Sequence, residues 1–125
     1  MKPRLILSLL LTLAFTMAFS SAQAGKSRVD YNRALSGDKC LCGANLEKAN
    51  FKNGRLSCAD MSYADLYKAK FNNADLRGVD FCGADLTKAN LKGADLTGAN
   101  LAGANLEGVK MKNTIGPDGC MINPD

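Results

Sequence analysis

From residue 44 onward a large apolar residue recurs every five positions without a slip, and that period decides what the chain can become. The series is Leu46, Phe51, Leu56, Met61, Leu66, Phe71, Leu76, Phe81, Leu86, Leu91, Leu96, Leu101, Leu106 and Met111. Two positions before each of these 14 centres sits a small residue: alanine in 11 cases, valine at Val79 and Val109, glycine at Gly54. Between the two lies Asp or Asn in 11 cases, the exceptions being Arg55, Lys70 and Lys110. The unit therefore reads Ala-Asp/Asn-Leu-x-x.

Neither regular secondary structure can use this period. On an α-helix five residues advance about 500°, roughly 140° past a full turn, so the centres would scatter over every face. On a straight strand an odd period sends successive centres to opposite sides of the sheet. A chain that bends once per unit resolves the conflict. The small residue and the centre, two apart, then point inward from one short extended segment, the polar residue between them points out, and the last two positions turn the corner. Two positions after the centre stands Gly at 78, 83, 93, 98, 103 and 108, and Asn at 53, 73 and 113. These residues tolerate the positive φ of a type II turn. Lys48, Cys58, Tyr63, Lys68 and Lys88 hold the same position and favour a type I-like corner. Two corner types are expected.

The choice of centre repeats at a spacing of 20. Leu46, Leu66, Leu86 and Leu106 form one column, Leu56, Leu76 and Leu96 another, and Phe51 lies under Phe71, which points to four units per coil. Units such as Ala84-Asp85-Leu86-Thr87-Lys88 and Ala94-Asp95-Leu96-Thr97-Gly98 resemble the pentapeptide-repeat family, and the resemblance spans residues 43–112. It implies an all-β solenoid, a right-handed quadrilateral β-helix whose interior is filled by the central and small residues. At a strand spacing of about 4.8 Å, 3.5 coils make a rod roughly 17 Å long.

Solenoid ends need covers, because an open end exposes sheet edges and apolar interior. Residues 25–42 are read as the N-terminal cap, with a short helix over residues 29–36 that Asp30 caps and Gly37 ends. The family resemblance implies such a lid as well. Residues 113–125 break the five-residue register, turn at Gly116-Pro117-Asp118-Gly119, and fold Met121 and Ile122 over the far end.

Residues 1–24 read as a signal peptide: Lys2 and Arg4, an apolar run from Leu5 to Phe19, and the small-x-small site Ala22-Gln23-Ala24. The run of about 15 apolar residues is short for a membrane span. Cleavage leaves 101 residues with 14 basic and 12 acidic side chains, a net charge of +2 that calls for no nucleic acid. The expected location is an exported one, the periplasm or another secretory or lumenal compartment. The chain contains no histidine, which removes every mechanism built on imidazole. No cofactor and no catalytic group is expected.

Five cysteines in an exported chain point to disulfides with one thiol left over. Cys40 and Cys58, almost one coil apart, are the best pair within the repeat, and Cys82 with Cys120 is a second if the tail folds back. A rival reading makes the protein a redox or soft-metal handler, with Cys40, Cys42 and Cys58 as three thiolates for copper or zinc.

With 20 residues per coil, Lys48, Lys68 and Lys88 stack on one corner, and the adjacent face adds Lys52, Lys70, Lys92, Lys110 and Lys112. The opposite two faces hold Asp60, Asp75, Asp80 and Asp95 against only Arg55 and Arg77. The basic side suits an anionic envelope surface, while lysines along exposed sheet also block edge pairing. The recurrent Asp and Asn fit local turn chemistry better than catalysis. The function expected is a non-enzymatic structural or interaction module for a protein partner or anionic surface, with end-to-end homodimerisation a further candidate. Protection of DNA gyrase by imitating DNA, which the resemblance also suggests, needs a strongly negative rod and does not suit this one.

Overall fold

The structure, a computed structural model, describes residues 26–122; the signal-peptide reading of residues 1–24 lies outside the described residues. No helix among the described residues is long and apolar enough to cross a membrane.

Every bridge between neighbouring coils is parallel and joins residues 20 apart, from Cys40 with Asp60 to Asp95 with Ile115. Each is built from two hydrogen bonds: the Leu46 amide donates to the Asp65 carbonyl at 2.8 Å, and the Asp65 amide to the Ala44 carbonyl at 2.9 Å. The coil has four sides. The first carries the centres Leu41, Met61, Phe81 and Leu101, the second Leu46, Leu66, Leu86 and Leu106, the third Phe51, Phe71, Leu91 and Met111, and the fourth Leu56, Leu76 and Leu96. The repeat begins one unit earlier than its sequence pattern shows, because Leu41 is fully buried and Cys40 is the bridging residue before it. Lys39 stands where the other units have a small residue, so the unit escapes the motif and the cap is shorter than residues 25–42.

All fifteen corners, from Leu41 to Met111, are of one kind, which overturns the expected mixture. In each, the amide three residues on returns to the centre's carbonyl, as from Ala49 to Leu46 at 3.1 Å. Lys48, Cys58, Tyr63, Lys68 and Lys88 hold φ between 56° and 60°, in the left-handed region beside the glycines and asparagines. The cause is register. The amide at this position must point along the rod to the next coil, as Lys88 does toward Glu107 at 2.8 Å, and an αR corner would turn it away. That bond offsets a left-handed cost of about 1–2 kcal/mol.

Inside, the centres from Leu41 through Leu96 are at most 3% exposed, each contributing about 1.5–3 kcal/mol by burial. Along one interior edge Tyr31 lies tilted against Phe51 at a centroid spacing of 5.1 Å, Phe51 stacks on Phe71 at 5.3 Å, and Phe81 meets Phe71 edge-on at 6.1 Å. Leu101, Leu106, Val109 and Met111 are only half-buried, so the core thins toward the C-terminal end.

The N-terminal lid is helix α1, Lys26–Leu35. It starts before residue 29, and Asp30 is not its N-cap: the Asp30 carboxylate accepts the Asn45 amide at 2.8 Å. By the 20-residue register that amide would otherwise pair with a preceding coil. Three carbonyls of the first coil are met in the same way, Asn50 by the Tyr31 hydroxyl, Cys40 by Arg33 at 2.6 Å and Ser57 by Lys39 at 2.8 Å. The helix ends as expected at Gly37, whose φ of 88° lets the Asp38 amide reach back to the Arg33 carbonyl.

The tail departs from its expected form as well. The backbone register survives past residue 113, since Leu96 and Gly98 donate to the carbonyls of Ile115 and Pro117. Only then does the chain reverse, pairing β1, Thr114–Ile115, antiparallel with β2, Met121–Ile122. Ile122 approaches Gly116, which takes the place of a fourth-side centre, but Met121 is 66% exposed and covers nothing.

Candidate functional site

The third side and the corner before it carry the basic surface. Its outward positions are Asn50, Lys52, Asn53, Lys70, Asn72, Asn73, Asn90, Lys92, Gly93, Lys110, Lys112 and Asn113. No carboxylate stands among them. Lys52, Lys70, Lys92, Lys110 and Lys112 are exposed and enter no ion pair among the described residues. Along the corner Lys48 pairs with Glu47 at 2.9 Å, and that hydrogen bond raises its pKa above the usual lysine value. Lys68 and Lys88 lie 5.1 and 6.0 Å from the centre of the Tyr67 ring. The sequence reading collected all eight lysines and missed Tyr67, whose place four residues after Tyr63 shows nothing until the coil length is known.

The Asp and Asn side chains are spent on the backbone. In all eleven units that have one, its side-chain oxygen accepts the amide two residues on, for example Asp65 from Tyr67 at 3.1 Å and Asp95 from Thr97 at 2.9 Å. On the fourth side Asp75 also takes a bidentate pair from Arg77, with both bonds at 2.8 Å, and this holds its carboxyl down at about 2. Asp60, bonded to the Ser62 hydroxyl and amide, is lowered for the same kind of reason.

All five cysteines are free thiols, against the expected pairs. Cys40 lies across from Asp60 rather than Cys58. Two residues of extended chain and one coil spacing put the Cα atoms of Cys40 and Cys58 about 8 Å apart, beyond disulfide reach. The Cys58 thiol rests over Gly78 instead. Cys120 is carried back on the fourth side by the β1–β2 hairpin, while Cys82 sits on the first side, followed along the rod by Ala102. Cys42 and Cys82 flank Ser62 in one column, with the Cys42 sulfur 3.3 Å from the Ser62 hydroxyl oxygen. Among the described residues no three cysteine, aspartate or glutamate side chains converge where a metal ion could be held, so Cys40, Cys42 and Cys58 do not form a three-thiolate site.

Comparison with known proteins agrees with this geometry. Residues 41–73 and 74–113 match the sequence profile of pentapeptide repeats, in eight copies. No curated protein matches the chain. Among solved structures, a pentapeptide repeat protein from the Arabidopsis thaliana thylakoid lumen is 37% identical with a TM-score of 0.55, over 56% of this chain and 48% of that one. This chain thus spans about half the length of that relative. A pentapeptide repeat protein from Nostoc PCC 7120 is also 37% identical, over 69% of this chain and 75% of that one, with a TM-score of 0.40. HetL, a pentapeptide repeat protein involved in heterocyst differentiation regulation in Nostoc sp. strain PCC 7120, is 31% identical over 66% of this chain and 55% of that one, with a TM-score of 0.39.

Proposed function

The chain belongs to the pentapeptide-repeat family, and from that premise we propose a non-enzymatic interaction module of an exported compartment that docks an anionic macromolecular surface. The observation that carries the reading is the composition of the third side, where every outward position is Lys, Asn or Gly. A face meant only to stay soluble and resist edge pairing is served by mixed charges, as the second and fourth sides have. A face with one sign of charge and no internal ion pairs attracts a partner of the opposite sign. Its flatness and rigidity keep the ordering cost of docking low. The aspartates of the repeat units spend a side-chain oxygen on turn amides, which suits a structural role for them better than acid–base chemistry.

Export is supported by the basic, apolar and small-x-small segments of residues 1–24, and one relative comes from a thylakoid lumen. The test of docking is co-sedimentation of the protein with neutral vesicles and with vesicles carrying phosphatidylglycerol, at rising salt. Binding to the anionic vesicles that weakens with salt and disappears in Lys70→Glu/Lys92→Glu/Lys112→Glu supports the reading. Equal binding by that variant sinks it. For export, the mass of the protein recovered from the exported fraction is expected to start at Gly25, and an intact Met1 would count against it.

A further inference from the structure

We infer that the third side binds an extended acidic glycan laid along the rod, one β-1,4-linked uronate unit to each coil; the inference rests on the reading that this side docks an anionic surface. What carries it is the order of residues within the side. Each coil sets two side chains outward here, one before and one after the buried centre. The first three coils hold one lysine and one asparagine apiece: Asn50 with Lys52, Lys70 with Asn72, Asn90 with Lys92. The lysine changes edge at every step, and the fourth coil, with Lys110 and Lys112, fills both edges.

Coils lie about 4.8 Å apart and the two edges about 6.5 Å, so each ammonium stands about 8 Å diagonally from the next. Mere spreading of like charges would be served better by carboxylates between them, as Asp75 stands beside Arg77 on the fourth side. Asparagine in those places cancels no charge and adds hydrogen-bonding groups instead. Asn50 and Asn90 spend only their side-chain oxygens, on the Lys52 and Lys92 amides, and leave their amide nitrogens to an outside acceptor. The Asn72 side-chain oxygen is buried with no partner among the described residues, and a hydroxyl reaching between Lys52 and Lys92 would donate to it. The corner beyond stays low, because Asn73 folds its side-chain oxygen onto Gly93.

The alternation selects the occupant. In a β-1,4-linked uronate chain each unit is turned half a revolution from the one before, so the carboxylates leave by alternate edges, and the rise per unit is close to one coil spacing. The carboxylate and hydroxyls of each unit then meet the lysine and asparagine of one coil. A lipid headgroup layer offers anions at no fixed spacing, and a side without an apolar residue gains nothing from acyl chains. Rod and glycan ribbon are both stiff, so little is lost in ordering them.

Isothermal titration calorimetry of the protein with β-1,4-linked mannuronate oligomers of two, four and six units tests this. Affinity should rise ~10-fold from two units to four, as each added unit finds a lysine, and by no more than ~3-fold from four to six, where the rod ends. The exchange Lys70→Asn/Asn72→Lys keeps charge and composition, and it puts each residue type where neighbouring coils already hold it, but it moves one lysine to the wrong edge. It should weaken the four-unit oligomer ~10-fold without lowering the melting temperature or changing the salt-sensitive binding to phosphatidylglycerol vesicles. No oligomer binding, an affinity indifferent to length, or an exchange variant that binds as the wild type does would each overturn the inference. Where vesicles alone are bound, the proposed function stands without it; where neither oligomers nor anionic vesicles are bound, both fall.

Discussion

Replacing Gly98 by alanine isolates the conformation of a single corner. Gly98 holds φ at 73°, and a β-carbon built there meets only the Gly78 backbone at 3.9 Å, ordinary van der Waals contact. No clash is added, so the cost is that of placing an L side chain in the left-handed region, about 1–2 kcal/mol. Alanine also stiffens the unfolded chain, which returns about 0.5 kcal/mol and leaves a net loss of about 1 kcal/mol. For a domain of roughly 100 residues, with an unfolding entropy near 0.2 kcal/mol/K, the midpoint should fall by about 5 °C. Thermal unfolding followed by circular dichroism reads this directly. The reciprocal change is Lys88→Asn, where φ is 59° and asparagine tolerates the left-handed region better than lysine. It should raise the midpoint by a few degrees, while Lys88→Ala, equally strained, should not. If Lys88→Asn and Lys88→Ala behave alike and Gly98→Ala is neutral, the corners are not left-handed and the account of the register fails.

Other perturbations have equally definite signs. Phe71→Ala empties a fully buried site stacked on Phe51 and should cost about 3–5 kcal/mol in denaturant titration, whereas Leu106→Ala at the thin end should cost far less. Burial pushes the Tyr31 hydroxyl up to about 12, above the 10 of free tyrosine, so its contribution is intact below pH 10 and lost as pH rises toward 12. The wild type should lose about 1–2 kcal/mol more than Tyr31→Phe between those limits, and parallel pH profiles would refute the assignment. Asp75 is shifted the other way, so its contribution is present above pH 4 and lost as pH falls through about 2. Arg77→Gln should flatten that part of the acid-unfolding curve. Alkylation of the denatured, unreduced protein should add five groups, and three or fewer would show that a disulfide forms after all.

The architecture was legible because the five-residue period serves one geometry, and the 20-residue recurrence of leucine and phenylalanine already gave the coil length. The lysine columns followed by counting. What escaped was set by partners remote in sequence. Lys48 and Tyr63 favour one corner by propensity, yet the amides they must send to the Tyr67 and Cys82 carbonyls impose another. Asp30 has the look of a helix cap, but the unpaired Asn45 amide, 15 residues on, claims its carboxylate. Leu41 was hidden because the motif asks for a small residue at 39, a need that lapses at the first coil, where Lys39 swings out to the Ser57 carbonyl. Cys40 and Cys58 are kept apart by a two-residue offset, which in an extended chain exceeds what a disulfide can span, and Cys82 and Cys120 by the hairpin, which brings Cys120 back on the fourth side rather than the first.

The 20-residue register makes a residue's compass bearing a matter of arithmetic. Inserting a single five-residue unit upstream would leave the interior untouched, since one apolar centre serves as well as another, yet it would rotate everything downstream by a quarter turn. Lys110 and Lys112 would then leave the side they share with Lys70 and Lys92 and line up with the fourth side, Arg55, Asp75 and Asp95. Insertions and deletions of 20 preserve every stripe of surface chemistry, and all smaller multiples of five scramble them while the rod still folds. Lengthening such a chain is therefore tolerated in steps of five by the core and only in steps of 20 by whatever reads its surface.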